Sequence, residues 1–264
     1  MNSMLQELKR EIKGAEDLAN EDFYQRFTSE ILKSERIRTM ILAGMFLMGT
    51  IMLAVAPLLF RTLFVDMFYQ KFHGFPLHLL ISFLLLCFFI YECLVFVRYT
   101  LFTSKAGKLV TAFQFINTTI ETSLPTVLIA VLFPLVGMPV IFAPIVYFYF
   151  FFIALSILRL SFPLSVYTGA IAAIEYFLIY WFMIRTIDDP TMDLFLVAPG
   201  NHMFKVVFFL ALGVAIGFVT LEIRRRVFNS IRFVEERSNL LNEYAVTLEK
   251  QVGERTEELS QSLK

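Results

Sequence analysis

FKVVFFLALGVAIGFVTLE, Phe204 to Glu222, leads into a basic collar at Arg224-Arg225-Arg226 and then into a charged run, VFNSIRFVEERSNLLNEYAVTLEKQVGERTEELSQSLK, ending at Lys264. The first half is long and apolar enough to cross a bilayer. In the second half Val227, Ile231, Val234, Leu241, Ala245, Leu248, Val252 and Leu259 fall on alternating four- and three-residue steps, the spacing of a coiled-coil seam, with Ser238, Arg255 and Ser262 interrupting it. Extending that phase upstream reaches Arg224, Thr220, Gly217 and Gly213. The two glycines form a small-xxx-small pair of the kind that lets membrane helices approach closely. The stretch therefore predicts one continuous helix of about 60 residues, roughly 90 Å long. Its dimerisation face is expected at Gly213, Gly217, Val227, Ile231, Val234, Leu241, Leu248, Val252 and Leu259. The alternative for Gly213 and Gly217 is that they seat a neighbouring span of the same chain.

The rest of the chain fits a membrane domain carrying this helix. Of its 264 residues 58% are hydrophobic, 16% aromatic and only 17% charged, with 31 Phe, which excludes an ordinary soluble domain. Net charge is zero, but charge is concentrated before Met40 and after Glu222. The implied fold class is all-α: a six-span transmembrane bundle whose sixth helix continues into a cytoplasmic coiled coil. Three regions are expected: 1–36, amphipathic N-terminal helices; 37–222, the transmembrane domain; and 223–264, the coiled coil. Within the first region Leu5, Leu8, Ile12 and Ala15 share a face, and Asn20 offers a cap for a second helix lined by Phe23, Phe27 and Ile31. That second helix is expected on the inner membrane surface or against the tail.

The spans are predicted at Met40–Phe60, Leu77–Val97, Leu109–Phe133, Val140–Leu158, Leu164–Ile184 and Phe204–Glu222, with the weakest boundary at Pro134 to Pro139. With six spans Arg36, Arg38, Arg98, Lys105, Lys108, Arg159 and Arg224 to Arg226 share one side. That side reads as cytoplasmic, so both termini are expected inside the cell membrane. Tyr176, Tyr180 and Trp181 read as an outer aromatic belt.

Within the spans, Glu121 and Glu175 each sit near the middle of their own helix, and Asn117 lies one turn before Glu121. A carboxyl at such depth must be neutral, paired or facing a polar cavity. Asn117, Glu121 and Glu175 are thus the candidate ligand or proton-sensing pocket, the alternative being hydrogen-bonded packing residues. Glu92 is expected to form an interfacial pair with Arg98 or Arg159. Pro139 and Pro144, followed by YFYFFF at Tyr147 to Phe152, predict either an irregular aromatic wall or a lipid-facing surface. His73, His78 and His202 fall at the outer surface near Asp66, Asp188, Asp189 and Asp193, a combination that could bind a metal or report external pH, but the spacing matches no metal motif, so solvated loops with no metal and no cofactor are expected. Cys87 and Cys93 imply no disulfide. Phosphate-binding glycine loops, HExxH and GxSxG are absent from the sequence, so no catalytic site is expected within it.

The tail carries one further signal. LEKQVGERTEELSQSL, Leu248 to Leu263, resembles the signalling helix of bacterial membrane receptors through Leu248, Glu249, Val252, Glu254, Arg255, Thr256, Glu258 and Leu259. The resemblance implies a homodimer that passes a signal to a cytoplasmic output domain of the phosphatase, nucleotide cyclase or histidine kinase type, phosphatase or cyclase first. The helix pattern runs to Lys264 without a stop signal. The output is therefore expected beyond this chain's end or on a separate partner. Expected partners are the lipid bilayer, a second copy, that output domain, and a small ligand, ion or lipid of unknown identity, but no nucleic acid. Two other classes fit the composition: a small proton- or cation-coupled transporter, and a structural dimerising anchor.

Overall fold

The computed structural model describes residues 21–60, 77–101, 107–137, 140–141, 143–186 and 198–262. Every regular element among them is helical. The chain runs α1 (Glu21–Leu59), α2 (Leu77–Leu101), α3 (Gly107–Thr122), α4 (Leu124–Val136), a 3-10 turn (Pro144–Val146), α5 (Tyr147–Leu155), a second 3-10 turn (Ser156–Arg159), α6 (Phe162–Arg185) and α7 (Pro199–Ser262).

Among the described residues five helical segments are long and apolar enough to cross a membrane: Arg26–Leu59, Leu77–Leu101, Val110–Leu135, Phe162–Arg185 and Pro199–Ser262. They share a physical pattern, an inward stripe and a broad exposed apolar face. In α1, for example, Leu42 and Phe46 are buried while Met48 and Met52 are exposed, as lipid contact requires.

Two sequence expectations change here. The second N-terminal helix and the first span are not separate, because α1 runs unbroken from Glu21 to Leu59. The N-terminal face at Leu5 to Ala15, together with Phe23, lies outside the described residues or side chains. Second, the stretch expected as a fourth span forms only a shorter broken apolar helix, Pro144–Arg159. Pro144 opens it with a 3-10 turn and Ser156–Arg159 closes it with another. Proline cannot donate the backbone bond that would extend α5 upstream. Of its aromatic run, Tyr149 and Phe152 are buried and Tyr147 is exposed, so the segment is part wall and part outer surface.

The third span divides into two helices that follow each other directly, with Ser123 N–H still donating to Thr119 O and Val127 N–H to Ser123 O. Ser123 separates α3 from α4, with Pro125 in the first turn of α4.

By contact the chain forms two units, one of Ser29–Ile223 and one of Met1–Thr28 with Arg224–Lys264. In the larger unit the main apolar core gathers Ile129, Leu132, Tyr149, Ile153, Ala172, Ala173, Tyr176 and Phe209 from α4 to α7. A second core joins Leu42 and Phe46 of α1 to Leu85, Leu124, Leu128 and Phe152. In the smaller unit Phe27 meets Phe228 edge-on at 5.9 Å between centroids, and the Arg224 guanidinium lies 5.4 Å from the Phe27 ring. That is the packing of an N-terminal helix against the tail, one of the two arrangements its sequence offered.

Candidate functional site

The feature that stands out is a group of buried charges inside the larger unit. Glu35 and Arg38 are one turn apart on α1, so both project from the same helix face. Gln114, Asn117 and Glu121 repeat that arrangement on α3. Arg159 comes from the 3-10 turn after α5, held by Leu160, whose φ of 50° is left-handed. A non-glycine residue there costs about 1–2 kcal/mol, and the strain falls on the residue next to a charged side chain that must turn inward.

Glu35, Arg38, Glu121 and Arg159 are each 0–3% exposed. Arg38 Nε donates to Glu35 Oε2 at 2.9 Å, and its Nη1 donates to Glu121 Oε2. Arg159 Nη2 donates to the same Glu121 oxygen at 2.8 Å, while Nη1 donates to the Gln114 carbonyl at 3.3 Å and lies 3.7 Å from Glu35 Oε1. Gln114 Nε2 donates to Glu35 Oε1 at 2.9 Å. Asn117 Nδ2 donates to Glu121 Oε1, and Tyr91 OH to Asn117 Oδ1 at 2.6 Å. Two cations and two anions thus close a neutral quartet whose carboxylate oxygens are all occupied. Desolvating such ions costs several kcal/mol each, recovered only by good geometry, and removing one partner typically costs about 3–5 kcal/mol.

Glu92 of α2 lies beside this quartet, within electrostatic reach of Glu121, Arg38 and Arg159. It is fully buried, and neither carboxyl oxygen has a hydrogen-bond partner among the described residues. Arg38 Nη2 is likewise buried without one. The expected pairing of Glu92 with Arg98 or Arg159 is therefore corrected: Arg159 is committed to Glu121 and Glu35.

Of the expected pocket, the structure brings Asn117 and Glu121 together and places Glu175 elsewhere. Two residues apart on a helix point to nearly opposite sides, and Glu175 is reached from Ser123 rather than Glu121. Ser123 Oγ and Thr126 Oγ1 donate to its two oxygens, and Thr126 Oγ1 lies 2.6 Å from Tyr149 OH. Glu175 is only half-buried. Its cluster is uncharged apart from the carboxyl itself.

The glycines require a further correction. Gly213 packs on Gly169 of α6 so closely that a Cβ on Gly213 would sit 2.8 Å from the Gly169 Cα and 3.2 Å from the Ser165 carbonyl oxygen. A Cβ on Gly217 would lie 2.9 Å from the Phe162 ring. Ser165 Oγ and Thr220 Oγ1 are 3.2 Å apart beside them. The face is occupied by the protein's own α6, through its backbone at Gly213 and through the Phe162 and Val166 side chains at Gly217. Gly213 and Gly217 thus leave the dimerisation set. Of the remaining seam residues Val227 and Ile231 are half-buried, while Val234, Leu241, Leu248, Val252 and Leu259 are exposed.

His202 is not in a solvated loop. It lies in the first turns of α7, fully buried, with Nδ1 2.7 Å from Tyr176 OH and its ring stacked on Tyr180 at 4.1 Å. Tyr176 and Tyr180 are core residues accordingly, while Trp181 is exposed, as a belt residue would be. His78 is largely buried on α2, and His73 lies outside the described residues. No group of metal-ligating side chains forms among the described residues.

Sequence reading missed Glu35, Arg38, Gln114 and Arg159 as site members, taking the arginines as flanking charges that orient the spans. The available signal was the turn spacing of Glu35 to Arg38 at the edge of an apolar run. Comparison with protein-family models, curated proteins and solved structures found no match to the chain.

Proposed function

We propose that the chain is a polytopic membrane sensor module that works as a homodimer and passes a signal through the tail of α7 to a cytoplasmic output domain. The observation that supports it most is a row of large apolar side chains at heptad positions on a mostly polar helix, which also exposes Phe233, Leu240, Tyr244 and Val246 off the row. Val234, Leu241, Leu248, Val252 and Leu259 are each 58–68% exposed at coiled-coil spacing. Among the described residues nothing covers this stripe, and a matching helix would bury it. The interruptions Ser238, Arg255 and Ser262 weaken any one register, which suits a seam that shifts between two. The receptor-like phrase at the end of the tail points the same way.

The reading no longer draws on the glycines. It places the dimer contact in the tail alone, while the charged quartet holds α1, α3 and the Arg159 turn as one block whose rearrangement the tail would report. The remaining basic residues, Arg36, Arg98, Lys105, Lys108 and Arg224 to Arg226, favour both termini on the cytoplasmic side of the cell membrane. A six-span count is retained in this reading, with Pro144–Arg159 as a short, broken fourth crossing.

Single cysteines placed along the tail in native membranes test it. Oxidative crosslinking should peak at positions 241, 248, 252 and 259 and fall at 243, 250 and 254. Uniform or absent crosslinking would refute the dimer. One observation favours a second reading: half-exposed Glu175, among hydroxyls, is placed as a proton or cation carrier would be. A transporter predicts pH-dependent flux into liposomes that Glu175→Gln abolishes. A structural anchor predicts that neutralising Glu121 and Glu175 together leaves the output of a fused reporter unchanged.

A further inference from the structure

The quartet balances itself. Arg38 and Arg159 face Glu35 and Glu121, and each oxygen of the two carboxylates accepts at least one hydrogen bond from Arg38, Arg159, Gln114 or Asn117. Glu92 is the odd charge. It enters from α2 with neither oxygen accepting a hydrogen bond among the described residues. The groups within reach of it are Arg38 from α1, Glu121 from α3, Arg159 from the 3-10 turn and, next to it on α2, Tyr91, whose hydroxyl is given to Asn117.

An ionised carboxylate is an acceptor with about four lone-pair sites and no donor of its own. Buried beside a closed neutral quartet, it would add one uncompensated negative charge and leave all of those sites unmet. As a neutral acid the same group adds no charge and gains an O–H to offer to Glu121. We propose that Glu92 is a proton-binding site of the bundle, occupied in the arrangement seen here and emptied in a second one.

The second arrangement is already prepared in Arg38, whose Nη2 is buried without a partner. Loss of the proton from Glu92 to water creates a carboxylate within electrostatic reach of the Arg38 guanidinium, whose Nη2 has no hydrogen-bond partner among the described residues. Arg38 then turns from Glu121 toward Glu92, and Glu121 is left to Arg159 and Asn117. Total charge changes by one, and the change is absorbed by moving a single side chain that ties α1 to α3. This assignment rests on the polar cluster, not on the dimeric receptor reading. Either can fail without the other.

The test is infrared spectroscopy of the full chain purified into lipid nanodiscs, where a carboxylic acid C=O stretch is resolved from carboxylate bands. At neutral pH the wild type should show an acid band that shifts on exchange into deuterium oxide, survives Glu175→Gln and is lost in Glu92→Gln. Raising the pH should remove it. A band unchanged by Glu92→Gln overturns the proposal, as does the absence of any acid band, the outcome expected if an inorganic cation neutralises the site instead. If Glu92→Gln does not fold, Glu92→Asp is read: the band must move in frequency, and a band that stays in place is equally fatal.

Discussion

Adding one methyl group at Gly213 is the sharpest probe of how the bundle is closed. In Gly213→Ala the new Cβ starts 2.8 Å from the Gly169 Cα and 3.2 Å from both the Gly169 nitrogen and the Ser165 carbonyl oxygen. Carbon atoms rest at about 3.5–4.0 Å, so α6 and α7 must part by roughly 0.7 Å or more. The obstructing atoms are backbone, which cannot swing aside as a side chain would. Overpacking of this kind costs about 1–3 kcal/mol, against which alanine returns about 1 kcal/mol of helix propensity, leaving a net loss of about 0–2 kcal/mol. Gly169→Ala meets Gly213 Cα at 2.7 Å and Phe209 O at 2.8 Å, so it should cost at least as much. Gly253 has nothing within 4 Å of its virtual Cβ, and Gly253→Ala should be neutral or stabilising. Thermal unfolding in nanodiscs ranks the three, and the Gly169→Ala, Gly213→Ala double variant should be non-additive because the two methyls compete for one gap. If Gly213→Ala instead left unfolding unchanged and altered only the monomer–dimer balance, the glycine would belong between copies and the packing described above would be wrong.

Four further outcomes follow from the same geometry. Arg159→Leu leaves Glu121 and Glu35 short of a cation and should cost about 3–5 kcal/mol, read as a large drop in unfolding temperature or failure to purify. Glu175→Gln keeps an acceptor for one of Ser123 and Thr126, turns its amide NH2 to the other hydroxyl and removes no ion pair, so its loss should stay within the roughly 0.5–1.5 kcal/mol of one hydrogen bond, measured in the same assay. Tyr176→Phe should likewise cost about 0.5–1.5 kcal/mol by removing the hydroxyl hydrogen-bonded to His202 Nδ1. Leu241→Asp with Leu248→Asp should abolish tail crosslinking while leaving the unfolding temperature of the bundle where it was.

What the sequence made legible was whatever depends on composition and period. The extents of α2 and α6 and the unbroken passage of α7 from apolar to charged sequence follow from the length of apolar runs and the absence of a breaker between Phe204 and Ser262. The fourth span was not legible, because hydropathy is blind to Pro144 starting the helix late and to Ser156–Arg159 tightening it early. The fusion of the N-terminal helix with α1 was hidden by the charges at Glu35, Arg36 and Arg38. They read as the end of a surface segment, yet two of them turn inward and the helix passes through. Asn117 and Glu121 were visible because a polar pair one turn apart in an apolar span has few innocent explanations. Their cations were not, since an arginine at a span edge looks the same whether it faces water or a buried acid.

The glycine pair shows why such signals need a second one to be interpreted. Gly213 and Gly217 say that some backbone comes close, without saying whose. The partner was in the sequence all along: Ser165, Gly169 and Ala173 form a small-residue stripe at four-residue steps on α6, and Gly169 meets Gly213 directly. Two small stripes on consecutive long helices of one chain meet at the high effective concentration set by a short connection, whereas two copies must find each other in the bilayer. When both stripes are present the intramolecular pairing should win. Among the described residues nothing covers Leu241, Leu248, Val252 and Leu259 on the charged part of α7, and they are exposed. The same reasoning that assigns the glycines to the bundle leaves the tail seam as the place where a second copy has something to gain.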